Sequence, residues 1–247
     1  MRSSEAVSHR TNGIKWFTFP PLEGYPFLLH GFLTETESFS AHGGEAKLQE
    51  VLSKIDRERK RPVTLIQTHQ DTCVVITGED ILKKRYKGDA VLTNRDDIVI
   101  SVSVADCLPI FLLDQRSKVI GLVHAGWRGT LLGIARRAAE SSKRQLKCDP
   151  AGFVAVFGPC IHSCCYQVSH DVGILFGKEC IRAGEDEGLM LDLVCANMKQ
   201  LTSCGVKEDK MFCVDRCTCC DREQFSSYRR EGKNTVKMIA FMGLRGR

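Results

Sequence analysis

Three runs of this chain are apolar at nearly every position and then stop on a polar residue. Residues 63–66, 98–104 and 119–123 are rich in β-branched side chains, which predicts buried strands. Each leads into a short polar segment: QTHQ at 67–70, ADCLP at 105–109 and HAGWRG at 124–129. Residues 154–157, 211–214 and 236–244 predict further strands, the last after a turn at 232–234. Helical spacing appears between the strands. Leu48, Val51, Leu52 and Ile55 recur at i, i+3, i+4 and i+7 and predict an amphipathic helix over 45–59. Further helices are expected over 130–145, 171–183 and 191–203, where Leu191, Val194, Met198 and Leu201 make the buried stripe. Strands that come both before and between helices favour an α+β fold with mixed sheets over a strict parallel repeat. There is no internal repeat and no low-complexity linker, so one domain is expected over 1–247, with 1–12 a flexible N-terminus.

Composition narrows the function classes. At 247 residues and 43% apolar content the chain can bury a sizeable core. A net charge of +5, from 35 basic and 30 acidic residues spread along the chain, gives no electrostatic footprint for nucleic acid. The dense basic run at 57–61 reads as a solvated helix end. Residues 1–10 lack an apolar signal core, and nowhere do about 18 apolar residues run together. A cytoplasmic protein is therefore expected, without membrane insertion. Thirteen cysteines are many for that compartment, but they lack the spacing of a disulfide scaffold, and most are expected to be reduced and buried. Cys160, Cys164 and Cys165 form one cluster, and Cys213, Cys217, Cys219 and Cys220 another. Neither supplies the paired CxxC knuckles of a ribbon-type zinc site, so a packing role is expected for both.

Chemistry concentrates where the strands end. His69, Cys107 and His124 each follow a predicted strand, where a rigid sheet fixes a reactive group that solvent still reaches. Two imidazoles and a thiolate suit zinc, and three protein ligands leave a position open, which is the catalytic type of site. Taken singly, each residue is also readable as a hydrogen-bonded histidine or a small buried thiol. The intervals between them match no compact zinc motif. After His124, the glycines at 126 and 129 and a helix start beside Arg128 could hold an anion. The same segment reads equally as a glycine turn with Trp127 packed under it.

QTHQ, ADCLP and HAGWRG, together with GPCIHSCCYQV at 158–168 and CTCCDREQFSSYRREG at 217–232, resemble the YfiH family, also called the multicopper polyphenol oxidase or laccase-domain family. Their order and spacing cover residues 30–244. The resemblance implies a layered α/β/β/α sandwich and one metal ion, usually zinc, on His69, Cys107 and His124. Copper is the ion in the older descriptions of that site. It implies phosphorolysis of adenosine, inosine, guanosine and methylthioadenosine to base and ribose 1-phosphate, with phosphate as co-substrate, and deamination of adenosine to inosine. The expected partners are small purine nucleosides and phosphate. Cys107 and Asp106 are then the candidate catalytic residues, and Gln67, Arg128 and Arg229 the candidates for substrate and phosphate.

The chain also departs from the family pattern. Members carry Ser-Thr-Arg where this sequence has Leu33, Thr34 and Glu35, and that arginine is a family phosphate ligand. A carboxylate there repels phosphate, so phosphorolysis is expected to be weakened relative to deamination. The Asn-Leu-Gly segment before the first helix is missing, and Tyr-Glu-Val becomes Tyr166, Gln167 and Val168. Three other readings stay open: a metal-independent cysteine hydrolase with Cys107 as nucleophile and His124 as base, a copper-dependent polyphenol oxidase, and a non-catalytic member of the family.

Overall fold

In the computed structural model of the protein, residues 2–11, 14–34, 44–55, 60–78 and 86–246 are described. Two mixed sheets lie face to face. One has seven strands in the order β1 (Arg2–Ser4), β15 (Met211–Val214), β11 (Val154–Phe157), β9 (Leu108–Asp114), β10 (Val119–Ala125), β7 (Ala90–Thr93) and β6 (Cys73–Ile76). The other has six: β2 (Val7–Thr11), β3 (Ile14–Thr18), β4 (Leu28–Leu33), β16 (Met238–Leu244), β8 (Ile98–Val104) and β5 (Arg61–Thr64). A three-stranded ribbon of β12 (Gln167–Val168), β14 (Leu189–Leu191) and β13 (Ile181–Ala183) stands apart from both.

The continuous apolar runs follow from burial on both faces. In β8, Ile98, Ile100, Val102 and Val104 point into the layer between the sheets, while Val99 packs outward. In β9, Phe111 and Leu113 fill that same inner layer, and Leu108, Ile110 and Leu112 face the other way. The helices, in chain order, are α1 (Pro20–Glu23), α2 (Gly44–Ile55), α3 (Trp127–Leu132), α4 (Ile134–Leu146), α5 (His170–Gly173), α6 (Leu193–Ser203) and α7 (Tyr228–Glu231), and α2, α4 and α6 cover the outer faces. Helices α4 and α6 bury Ala135, Ala138, Val194 and Leu201 against the seven-stranded sheet. Leu48, Val51 and Leu52 of α2 pack on Leu29, Val99 and Phe241 of the six-stranded sheet. Each of those three α2 side chains contributes roughly 1.5–3 kcal/mol by leaving water. The layers are thus α/β/β/α, as the family resemblance implies. No helix among the described residues is long and apolar enough to cross a membrane.

Several sequence expectations are corrected. Within the segment expected to be a flexible start, β1 pairs in parallel with β15 and β2 pairs antiparallel with β3. Backbone hydrogen bonds hold these edge strands, so their polar side chains leave no apolar signal. The helix expected over 130–145 is two helices, because Gly133 adopts φ +89° between α3 and α4 and turns the chain. The helix expected over 171–183 is only α5, followed by a 3-10 turn at Lys178–Cys180 and strand β13. Glycines at 173 and 177 weaken that helix, and a Cβ on Gly173 would meet Leu189 Cδ1 at 2.4 Å. Leu191 belongs to β14 rather than to α6, whose N-cap is Asp192 accepting from Cys195 N. Helix α2 is described to Ile55, and 56–59 lie outside the described residues. Cys180 and Cys195 are joined in a disulfide, and the other eleven cysteines are free.

Candidate metal centre

The two loops that carry the chain from the six-stranded sheet to the seven-stranded one both bear a candidate ligand. Beyond β5 the chain leaves the six-stranded sheet and enters the seven-stranded one at β6, with His69 on the way. Beyond β8 it makes the same crossing before β9, through Asp106 and Cys107. His124 is the last residue but one of β10 and falls on the same strand face as Ile120 and Leu122, which face the inner layer. The three donors therefore meet at one end of the sandwich, with ligand atoms all within 4.8 Å of one another. The His69 and His124 rings meet edge to face with centroids 4.8 Å apart. This group could hold a metal ion. A Cβ on Gly126 would stand 3.0 Å from Cys107 Sγ and 3.6 Å from His69 Nδ1, so only a glycine leaves the space open.

Asp89, just before β7, organises the two histidines. Its Oδ1 accepts from His124 Nδ1 at 2.9 Å and from His69 N at 2.9 Å. Its Oδ2 accepts from Thr68 Oγ1 at 2.8 Å, Gln70 N at 3.0 Å and Thr68 N at 3.1 Å. One carboxylate thus fixes the ring of one histidine and the backbone of the other, which sits at φ +56°. Because Nδ1 is engaged by Asp89, Nε2 is the ring nitrogen of His124 that is left to face Cys107.

The electrostatics match this arrangement. Burial pushes the Cys107 thiol up, but His124 and His69 more than offset it and draw it down to about 6. His124 moves the opposite way, to about 9: burial lowers it, and Cys107 and Asp89 raise it further. Burial also works against the Asp89 carboxylate, yet the bonds from His124, Gln70 and Thr68 hold it well below the usual carboxylate range. A negative thiolate between two oriented imidazoles is the state a soft cation requires.

The other sequence candidates are distributed unevenly. A cavity of about 310 Å³ opens on the centre and is lined by His69, Cys107, Trp127, Arg128, Tyr166 and Arg229 among others. Arg128 is exposed and stacks on Trp127 with its guanidinium carbon 4.3 Å from the ring centroid. Arg229 is more constrained, donating from its guanidinium to Cys165 O at 3.2 Å and Gln167 O at 2.8 Å. Asp106 also lines the cavity, at φ +84°. Its carboxylate accepts from Thr218 Oγ1 at 2.6 Å, Ser227 Oγ at 3.0 Å and Arg229 N at 2.6 Å, so it ties three distant residues together. Gln67 is not brought to the cavity. Its amide donates to Ser103 O and accepts from Ser103 N, both at 2.8 Å, and so imitates a strand partner for β8. Glu35 lies outside the described residues. Sequence reasoning missed Asp89 and Tyr166. The only trace of Asp89 was a lone acid before an apolar strand, and Tyr166 was visible only as part of the GPCIHSCCYQV segment.

The profile of the family described as multi-copper polyphenol oxidoreductase laccase matches residues 42–245. A purine nucleoside phosphorylase of Clostridium acetobutylicum is 32% identical over 189 residues, covering 72% of this chain and 75% of that protein. The purine nucleoside phosphorylase LACC1 of Mus musculus is 31% identical over 187 residues; the match covers 73% of this chain but 43% of the mouse protein. The crystal structure of YlmD from Geobacillus stearothermophilus superposes with a TM-score of 0.83 at 25% identity, covering 98% of this chain and 100% of that one.

Proposed function

The chain belongs to the multi-copper polyphenol oxidoreductase laccase family, and from that membership we propose that it is a zinc-dependent purine nucleoside enzyme. Its reactions are phosphorolysis to free base and ribose 1-phosphate and deamination of adenosine to inosine. The observation that carries this reading is the convergence of His69, Cys107 and His124, held by Asp89, at a cavity that also presents Arg128 and Arg229. Relatives named as purine nucleoside phosphorylases supply the substrate class.

The donor set fits zinc. Two imidazoles and a thiolate give three ligands, and the adjoining cavity leaves room for a fourth from water or substrate. Copper electron-transfer sites with the same three donors add an axial thioether, and no methionine lines this cavity. A multi-copper cluster needs more imidazoles, and His69 and His124 are the only histidines grouped here among the described residues. Bound at these donors, zinc supplies Lewis acidity and acidifies water toward neutral pH.

The chain's own residues supply the rest. Arg128, free to swing from the Trp127 face, offers its charge to phosphate, and Arg229 gives a positive charge fixed in place by two carbonyls. Trp127 and Tyr166 bring aromatic faces to the same cavity, on which a purine can stack. Asp106 spends three of its roughly four acceptor positions on Thr218, Ser227 and Arg229. It positions the segment that carries Arg229 and keeps one lone-pair direction for a substrate proton. Glu35 replaces the family's phosphate-binding arginine, so phosphorolysis is weaker here than deamination. Metal-analysed protein given adenosine with and without phosphate tests this: inosine as the main product is expected, with less adenine formed only when phosphate is present. Steady phosphate-dependent cleavage of inosine with family-like phosphate affinity would overturn the weakened phosphorolysis. Bound zinc with neither product would overturn the nucleoside reading.

One geometric feature favours a second reading. Cys107, His124 and Asp89 connect in the order thiol, imidazole, carboxylate, which is the layout of an activated cysteine nucleophile. Turnover that survives exhaustive chelation but stops on alkylation of Cys107 would select it.

A further inference from the structure

Four cysteines with no part in the centre above meet at a second point. Cys164 and Cys165 lie on the turn between β11 and β12, and Cys217 and Cys220 on the segment after β15. Their sulfurs all lie within 4.8 Å of one another. Cys220 Sγ is 3.5 Å from Cys164 Sγ and 3.2 Å from Cys165 Sγ. Cys160 and Cys213, from the same two sequence clusters, pack in the core as expected, with Cys165, Cys217 and Cys219 against it. Cys217 and Cys220 are themselves two residues apart in a CxxC, and Cys164–Cys165 completes the set from 52 positions away, counted from Cys165 to Cys217.

The geometry points to a tetrathiolate site on Cys164, Cys165, Cys217 and Cys220 that binds a soft divalent cation, zinc, in a closed structural role distinct from the centre at Cys107. Four thiolates at about 2.3 Å from a central ion are separated by about 3.8 Å along the edges of a tetrahedron; Cys220 Sγ stands slightly closer than that to two of its partners, and no pair in the group is more than 4.8 Å apart. The backbone of the CxxC folds as a knuckle: His162 N points at Cys217 Sγ at 3.5 Å, and the amides of Cys219 and Cys220 also bond to that sulfur. Such amide bonds stabilise a ligating thiolate and fix its direction. A disulfide would engage two of the sulfurs and leave the other two crowded against it. Thiol-to-thiol hydrogen bonds are weak, so they give little reason for four side chains to converge.

The location says what such an ion would do. Cys160 and Cys217 form an isolated parallel bridge beside the cluster, and Thr218 N donates to Cys160 O at 2.9 Å. Thr218 lies inside the CxxC and donates its hydroxyl to Asp106, while Arg229 holds the carbonyl of Cys165. A zinc ion here would staple the two segments that bring Tyr166, Arg229 and Asp106 to the cavity.

The test uses the full chain carrying Cys107→Ala, so that the centre at His69 and His124 is compromised and the four-cysteine group is read alone. We expect one equivalent of zinc per chain to remain after gel filtration. Cobalt in its place should give the intense d–d and thiolate charge-transfer bands of a tetrahedral all-sulfur site, and Cys220→Ser added to this background should abolish them. Zinc should also shield Cys164, Cys165, Cys217 and Cys220 from alkylation, a readout that needs no second substitution. Loss of all tightly bound metal with the four thiols equally alkylated with and without zinc would overturn the proposal. A native mass showing a disulfide within the group in freshly purified protein would overturn it too.

Discussion

Asp89 Oδ1 and His124 Nδ1 lie 2.9 Å apart with both side chains buried, at 0% and 3% exposure, so the bond between them is shielded from solvent. The same oxygen accepts His69 N. Asp89→Asn would set an amide nitrogen among donors that need acceptors. The expected result is zinc affinity lower by about 10–100-fold, read by competition with a chromophoric chelator. Unchanged affinity would remove Asp89 from the support of the centre.

Cys107→Ala should lose the zinc bound with His69 and His124 and lose nucleoside turnover in parallel. Elemental analysis together with product assay on the same preparation checks this. An ion still held by His69 and His124 at full occupancy would show that the thiol is not a ligand.

Arg128→Ala removes a charge that is stacked on Trp127 and otherwise exposed, so the fold should tolerate it. The phosphate KM for phosphorolysis should rise about tenfold or more, the scale of one lost charge-assisted hydrogen bond. Deamination, which uses no phosphate, should keep its kcat. An equal loss in both reactions would mean that Arg128 serves the nucleoside instead.

Stability should depend on pH through His30. Its ring is buried and accepts Phe19 N on Nε2 at 3.0 Å. Burial holds its pKa near about 4, against 6.5 for the free side chain. Between those values the unfolded chain binds a proton that the folded chain refuses, so stability is full above pH about 6.5 and falls as the pH drops toward 4. The loss reaches at most about 3 kcal/mol. Thermal melts across that window should show the decline, and His30→Gln, which can accept the Phe19 bond without titrating, should flatten it. A wild-type Tm that holds steady from pH 6.5 to 4 would argue against this.

His69, Cys107 and His124 were legible in the sequence because each ends an apolar run, and strand ends are read from one local stretch. Asp89 was not, since its role arises only when β7 pairs with β10 and Ala90 falls opposite Val123. Gln67 looked like a site residue for the same local reason that His69 did, yet its amide extends the pairing of β8. The sandwich was legible in outline from 98–104, 154–157 and 211–214, which match β8, β11 and β15. Strand β9 was missed because it begins immediately after Cys107, where the polar ADC reads as the end of a run. The four-cysteine group was hidden by long-range folding: the parallel pairing of β11 with β15 and the Cys160–Cys217 bridge beyond it bring the two stretches together.

Strand β16 sits between β4 and β8, pairing Phe241 with Gly31 on one side and with Ser101 on the other. Its two neighbours come from residues 28–33 and 98–104, so the middle of the six-stranded sheet closes only by contacts across more than half the chain. Pairing of that range is slow to form, because loop closure precedes any gain from contact. Until 238–244 is available, β4 and β8 each present an open, apolar edge to every other copy of the chain. The vulnerable moment in this protein's life is therefore before assembly is complete, and overexpression yield should depend more on temperature and chaperone supply than on the stability of the finished molecule.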